Sequence, residues 1–336
     1  LGWNKKKRIK RFDKIGKRKI LYSISKQGYR HSTHQKKLNL ITTFGDSYTF
    51  CRQVNNNETW QEQFSKKNKI FVSNFGVGNY GLDQAFLKYR KTKIAKENKI
   101  VIFGFVPETI CRIQSSWKNF IEFGNVHGFK PYCILKNDKL KIIKNPLNPG
   151  TIFKSIPEII KKAKSADRFY KDKYVKHIIK TPYFFWIFKN LNFNLNMIYT
   201  YLISKNKNKI EVLNNELFPN VMRNNIGLSH NLYKEKYSQN IMEKLLKKIN
   251  NETNDKNLKC YFLIIPQLFD LKMKSRNNYE KFFYKLKKNL NIIDTTENFL
   301  KNNDYSKLFI NDKYGGHLNK KGNILISKIL NKKIKL

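Results

Sequence analysis

The apolar run Leu38 to Gly45 is continuous rather than alternating, which predicts a strand buried on both faces. Two further strand patterns follow at Lys69 to Phe75 and Lys99 to Phe105. Between the first two, Trp60 and Phe64 stand at i and i+4, so a helix beginning near Glu58 is expected, with Trp60 packed in the core. A second helix pattern runs from Leu82 to Lys96. The order is harder to read from about 115 to 257. Phe129 to Pro146 has the look of short strands and turns, and Asn145 to Gly150, with two prolines, that of a loop. Ile152 to Ile203 and Tyr233 to Asn250 read as helical, the latter with Ile241, Leu245 and Ile249 on one face. Alternation then resumes: a strand at Lys259 to Pro266, a helix at Asn278 to Asn289, a strand at Leu290 to Asp294, and a last helix ending near Lys332. Strands alternating with helices predict an α/β fold whose parallel sheet is covered on both sides.

This pattern divides the chain into a basic, turn-like segment at 1–37, with Gly28, Tyr29 and Arg30 as its expected point of docking, and one domain at 38–336 carrying an insertion at about 115–257. A length of 336 residues, with 40% hydrophobic and 14% aromatic residues, is enough for a full core and excludes disorder as the default. The formal charge of +44 invites a nucleic-acid reading. Its lysines are spread through almost every segment, however, and Arg, the better reader of bases and phosphates, is scarce. The charge is therefore read as compositional, with attraction to anionic substrates or membrane surfaces as a consequence and no specific nucleic acid expected.

The four cysteines, Cys51, Cys111, Cys133 and Cys260, lie far apart, so neither a zinc site nor a disulfide framework is expected. The chain starts at Leu1, and its first basic residues are not followed by the apolar core of a signal peptide. With an upstream anchor the expected location would be the cell envelope or periplasm; otherwise it would be the cytoplasm. Tyr183 to Ile203 is aromatic-rich but interrupted by Lys189 and four asparagines, too polar to span a bilayer.

Chemistry concentrates at the ends of the predicted strands, where active residues of such sheets gather. Gly45-Asp46-Ser47 closes the first strand. Alone it is an ordinary turn; just beyond a buried strand, its serine is where a nucleophile would stand. The second strand breaks into Gly76-Val77-Gly78-Asn79-Tyr80-Gly81, whose glycines let backbone amides approach a ligand closely. The spacing matches a dinucleotide loop in letter, but it follows the second strand, and the third ends in Pro107-Glu108 without an acidic residue placed for a ribose. His317, one of six histidines, sits between Gly315-Gly316 and the terminal helix and is the candidate base for Ser47.

Taken together, Gly45-Asp46-Ser47, Asn74 to Gly81, Ile102 to Glu108, and Gly316-His317-Leu318-Asn319 through Gly322-Asn323 resemble the four ordered blocks of the SGNH hydrolases, or GDSL-type esterases. The resemblance covers about 38–114 and 258–336. It implies a flavodoxin-like three-layer α/β/α fold with a central parallel sheet of about five strands, and ester hydrolysis or acyl transfer with Ser47 as nucleophile, His317 as base and no metal or organic cofactor. It also implies an oxyanion held by the serine amide, by an amide of the second block (Gly78-Asn79) and by an asparagine side chain of the third. Two positions depart from the pattern. Asn79 stands where a glycine is usual, and Glu108 where the asparagine is usual; loss of such a donor costs on the order of 3 kcal/mol. Asn125 is a second candidate donor. The orienting acid usually lies three residues before the histidine, where this chain has Tyr314. Asp312 is either its replacement or a turn residue, which would leave a Ser47-His317 dyad. The Val106 to Ile110 segment and the large insertion resemble members associated with bacterial surface polysaccharides, so a glycan or small-molecule acyl ester is the expected substrate. A non-catalytic glycan-binding protein on the same fold is the competing expectation.

Overall fold

The computed structural model describes the chain except for residues 2, 7–9, 16–17, 123–127, 146–155, 178–180, 311 and 313, together with the side chains at 11–15, 18, 156, 186 and 214. Asn125 and the greater part of the loop expected at 145–150 lie outside the described residues. The chain opens with a hairpin of β1 (Lys10–Ile15) and β2 (Arg18–Ser23). The central strands follow: β3 (Asn39–Gly45), β4 (Phe71–Asn74) and β5 (Ile100–Phe105). A second hairpin in the insertion comprises β6 (Tyr132–Lys136) and β7 (Lys139–Ile143). Next come β8 (Lys259–Ile264) and β9 (Ile292–Asp294), then the two-residue pair β10 (Phe309–Ile310) and β11 (His317–Leu318).

The main sheet has five parallel strands in the order β4-β3-β5-β8-β9. Numbered along the chain this is 2-1-3-4-5, the doubly wound order of flavodoxin-like folds. Strand alternation sorts the side chains into two cores. Phe44, Val101, Phe103, Phe262 and Ile264 face one way, onto helices Leu82–Lys91, Lys236–Asn254 and Asn277–Leu286. Ile41, Ile102, Tyr261 and Leu263 face the other, onto helices Trp60–Asn68 and Lys320–Lys333. The result is a three-layer α/β/α architecture.

The order reverses beside β3, because β4 pairs with one of its edges and β5 with the other. Such a switch point opens a crevice at the carboxyl ends of the strands, and Ser47 follows β3 there. The backbones approach closely. Gly45 pairs with Gly104, and a Cβ on Gly45 would lie 1.9 Å from the Gly104 carbonyl. Thr49 Oγ1 donates to that carbonyl at 2.9 Å, closing the gap the glycines leave.

Elsewhere the elements differ from the expected ones where local chemistry intervenes. The expected single helical stretch through Ile203 is divided into Ile156–Ala166, Tyr183–Phe188, Leu191–Ile203 and shorter turns; Pro182, which lacks an N–H, stands at the start of the second. The N-terminal segment holds a hairpin rather than turns alone. Arg30 is buried, its guanidinium donating to the Phe50 and Cys51 carbonyls at 2.6 Å each, and Tyr29 packs edge-on against Phe71 and Phe75.

Candidate active site

Ser47 begins the short helix Ser47–Phe50, capped by Asp46. Asp46 ties this turn to the sheet: Oδ1 accepts from the Tyr48 amide at 2.8 Å and Oδ2 from the Val106 amide, just beyond β5, at 2.9 Å. Arg112 Nη1 lies 3.7 Å from the same carboxylate. Burial pushes the Asp46 carboxyl up from its ordinary value, while Arg112 and the two amide hydrogen bonds pull against it.

His317, in β11, arrives from the far end of the chain. Its Nε2 is 3.0 Å from Ser47 Oγ, and its Nδ1 is 2.6 Å from Asp312 Oδ2. The Tyr48 ring stacks on the imidazole at 4.6 Å between centroids, and Tyr48 Oη donates to the Gly316 carbonyl at 2.7 Å. The ring is thus gripped on a face as well as at both nitrogens. Asp312 Oδ1 accepts from the amides of Tyr314 (2.9 Å) and Gly316 (3.3 Å). Burial would raise the Asp312 carboxyl, but the charge and hydrogen bond of His317 and these two amides hold it below its ordinary value. Asp312 is therefore an anion aimed at the imidazole. Tyr314, in the position where the acid is usual, contributes its backbone, and its ring lies edge-on to His317 at 6.5 Å.

The second-block turn closes the other side. Asn79 takes φ +65°, a left-handed conformation that asparagine tolerates better than most residues. Gly78 and Asn79 both border the cleft that holds Ser47 and His317. Trp3 Nε1 donates to the Gly78 carbonyl at 3.0 Å, Tyr80 Oη donates back to the Trp3 carbonyl at 2.5 Å, and the two rings meet edge-on.

Glu108 is the residue placed differently from expectation. It was expected at the oxyanion or binding position; it is fully buried and absent from the cleft wall. The cause is its pairing across one helical turn with Arg112, whose Nη2 donates to Glu108 Oε2 at 2.7 Å. Arg112 also lies 3.6 Å from Glu122, which pairs with Lys118. Burial pushes the Glu108 carboxyl up, with Arg112 opposing. Burial acts likewise on Glu122, but Lys118 and Arg112 overcome it and hold that carboxyl at about 2. Glu108 thus belongs to a buried charge cluster that reaches the Ser47 turn through Arg112 and Asp46.

The cleft has a volume of about 540 Å³. Trp3, Lys5 and Lys6 from the N-terminal segment and Arg52 from the body border it, and no carboxylate does so among the described residues. The part of Trp3 and Lys5 carries no motif by which sequence could have found it. That of Arg112 did leave a signal, an opposite charge four residues after Glu108.

No family model matches the chain, and no curated protein matches it. Among solved structures, a candidate lipolytic protein of the G-D-S-L family from Desulfitobacterium hafniense DCB-2 aligns over 88% of this chain and 98% of its own, at 11% identity and a TM-score of 0.37. A member of the lipolytic protein G-D-S-L family from Veillonella parvula DSM 2008 aligns over 87% and 96%, at 10% identity and a TM-score of 0.38. Likeness at this level assigns neither family nor activity.

Proposed function

We propose that the protein is a serine-dependent esterase or O-acyltransferase, with Ser47 as nucleophile, His317 as general base and Asp312 as the acid that orients it. The observation that carries this reading is the unbroken chain from Ser47 Oγ through both imidazole nitrogens to Asp312, at 3.0 and 2.6 Å. A serine hydroxyl is a weak nucleophile until a neighbour accepts its proton. In the reaction, Ser47 Oγ attacks the acyl carbon as its proton passes to His317 Nε2. The imidazolium, stabilised by Asp312, returns that proton to the departing alkoxide as the ester C–O bond breaks. A water or an acceptor alcohol then attacks the acyl-serine, giving up its own proton to His317, and Ser47 is regenerated. The backbone amides of Ser47 and of the Gly78-Asn79 turn are the donors proposed for the oxyanion.

For the substrate, an acylated glycan or small alcohol ester fits a cleft bordered by Trp3, Tyr22 and Tyr314, whose aromatic surfaces present an apolar body with a polar edge. Lys5, Lys6 and Arg52 on the same wall favour an ester that also carries a negative charge. The test is labelling by a fluorophosphonate together with turnover of p-nitrophenyl acetate. Both should be present in the wild type and lost in Ser47→Ala and His317→Ala; equal turnover in all three would overturn the reading. The rival, a non-catalytic glycan-binding protein, is favoured by one observation, that the third block offers the buried Glu108 in place of an asparagine donor. It expects no labelling and an unchanged glycan affinity in Ser47→Ala.

A further inference from the structure

Within the insertion, the helix Leu191–Ile203 leaves most of its large apolar side chains exposed. Leu191, Leu195, Ile198 and Leu202 fall at i, i+4, i+7 and i+11, the stripe by which a helix ordinarily packs on a core, yet all four are exposed. The most buried positions are polar, Asn194 and Thr200 with Ser204 just past the helix end, and Phe193 and Met197 lie half-buried beside them. Two of them are held there by their side chains. Asn194 Nδ2 donates to the Ile187 carbonyl at 2.9 Å, and Asn220 Nδ2 donates to Thr200 Oγ1 at 2.9 Å, so this orientation is held by hydrogen bonds. The preceding helix, Tyr183–Phe188, repeats the pattern with Phe184, Phe185 and Phe188 exposed, Phe184 meeting the other two rings at 6.2 and 4.6 Å. Contiguous apolar surface of this kind marks an interaction site.

The charge around it favours one kind of partner. From 173 to 210 the sequence contains no Asp or Glu, and Lys189 and Lys205 are exposed at the ends of the apolar helices; the acidic groups that follow are Glu211 and Glu216, the latter paired with Lys207 at 2.7 Å. Exposed aromatic and aliphatic side chains flanked by lysines are what an anionic bilayer surface takes up. A second copy of the chain would bring lysines against lysines on a molecule of net charge +44. Nor does the helix cross the membrane. Its 13 residues reach about 20 Å at 1.5 Å per residue, against a hydrocarbon core of about 30 Å, and no helix among the described residues is long and apolar enough to span.

We propose that the helices Tyr183–Phe188 and Leu191–Ile203 form an interfacial docking element that lies in the plane of an anionic membrane surface. The element is separate from the cleft, so the proposal stands or falls independently of the esterase reading. The test is co-sedimentation of the full chain with phosphatidylcholine vesicles, with and without phosphatidylglycerol. The wild type should bind the anionic vesicles and leave the neutral ones largely free. The triple variant Phe185→Ser, Leu195→Ser, Leu202→Ser keeps every charge and alters only exposed side chains. It should keep the wild-type circular dichroism and bind at least about tenfold more weakly. The proposal is overturned if the wild type does not bind anionic vesicles, or if the triple variant binds as well as the wild type, which would mean that overall charge alone is responsible. It is equally overturned if sedimentation velocity shows a wild-type dimer that the triple variant dissolves, which would mean that a second copy covers the face.

Discussion

Asp312 and His317 stand five residues apart and meet at 2.6 Å because the chain between them doubles back through Gly315 and Gly316, at φ +101° and +82°. The doubling leaves Asp312 Oδ2 against the imidazole and Oδ1 against the amides of Tyr314 and Gly316. The acid is therefore held from both sides before any substrate arrives. In the proposed mechanism, replacing it by asparagine removes the anion that fixes the tautomer and stabilises the imidazolium. In Asp312→Asn, kcat with p-nitrophenyl acetate should fall by roughly 10³ to 10⁴, as loss of the orienting acid does in serine triads, with KM little changed. A fall of less than about threefold would make the site a dyad.

The same carboxylate gives stability a pH dependence of known sign. Its folded-state value lies below the ordinary 3.8, so the folded protein binds fewer protons there than the unfolded chain. The stabilisation is fully present above 3.8 and is lost as pH falls through the lower folded value. Urea unfolding of the wild type and Asp312→Asn should show a difference that shrinks as pH falls below about 4. A difference that grows on acidification would contradict the arrangement.

The turn itself can be tested at Gly316. A Cβ there would lie 2.5 Å from Leu268 Cβ, and φ +82° is costly for any other residue. Gly316→Ala should destabilise the fold by about 1–3 kcal/mol and lower kcat along with it, because the Asp312–His317 contact depends on this turn. Denaturant unfolding and single-turnover acylation measure the two effects separately.

All five central strands could be read from sequence because each is a short apolar run closed by turn residues, and burial on both faces leaves no other use for such a run. Ser47 and Gly78-Asn79 were legible for the same reason, since each follows a strand end that the sheet brings to one edge; His317 stands in β11, outside that sheet, and was marked instead by the glycines before it and the terminal helix after it. Asp312 was legible only as an alternative, because spacing along the chain cannot show that two glycines fold five residues into contact. Glu108 was read at the cleft since its place in the chain is right; its side-chain direction is decided by Arg112 one helical turn on, a three-dimensional partner. The N-terminal wall was not legible at all. Trp3 reaches Gly78 across 75 positions of sequence, and nothing local to either residue records that contact.

Near the Ser47 turn, Glu108 and Arg112 allow a structural role to be separated from a catalytic one. Glu108→Gln keeps the shape and removes a charge that burial already disfavours, so kcat should change by less than about threefold. A larger loss would return Glu108 to the reaction. Arg112→Met leaves Asp46, Glu108 and Glu122 buried without their shared cation. Breaking a buried pair from one side costs about 3–5 kcal/mol, so this variant should unfold at markedly lower denaturant.

The cationic wall of the cleft predicts how substrate charge is read. Arg52 and Lys5 border the same space as Ser47. The double variant Arg52→Gln, Lys5→Gln should raise KM for an ester bearing a carboxylate several-fold while changing KM for p-nitrophenyl acetate little, since only the first substrate has a charge to lose contact with. Raising salt should do the same to the wild type, because charges at an open cleft are screened over a Debye length of about 8 Å at physiological ionic strength. Equal effects on both esters would mean that these side chains shape the cleft rather than select for charge, and the preference for an anionic substrate would then have to be abandoned.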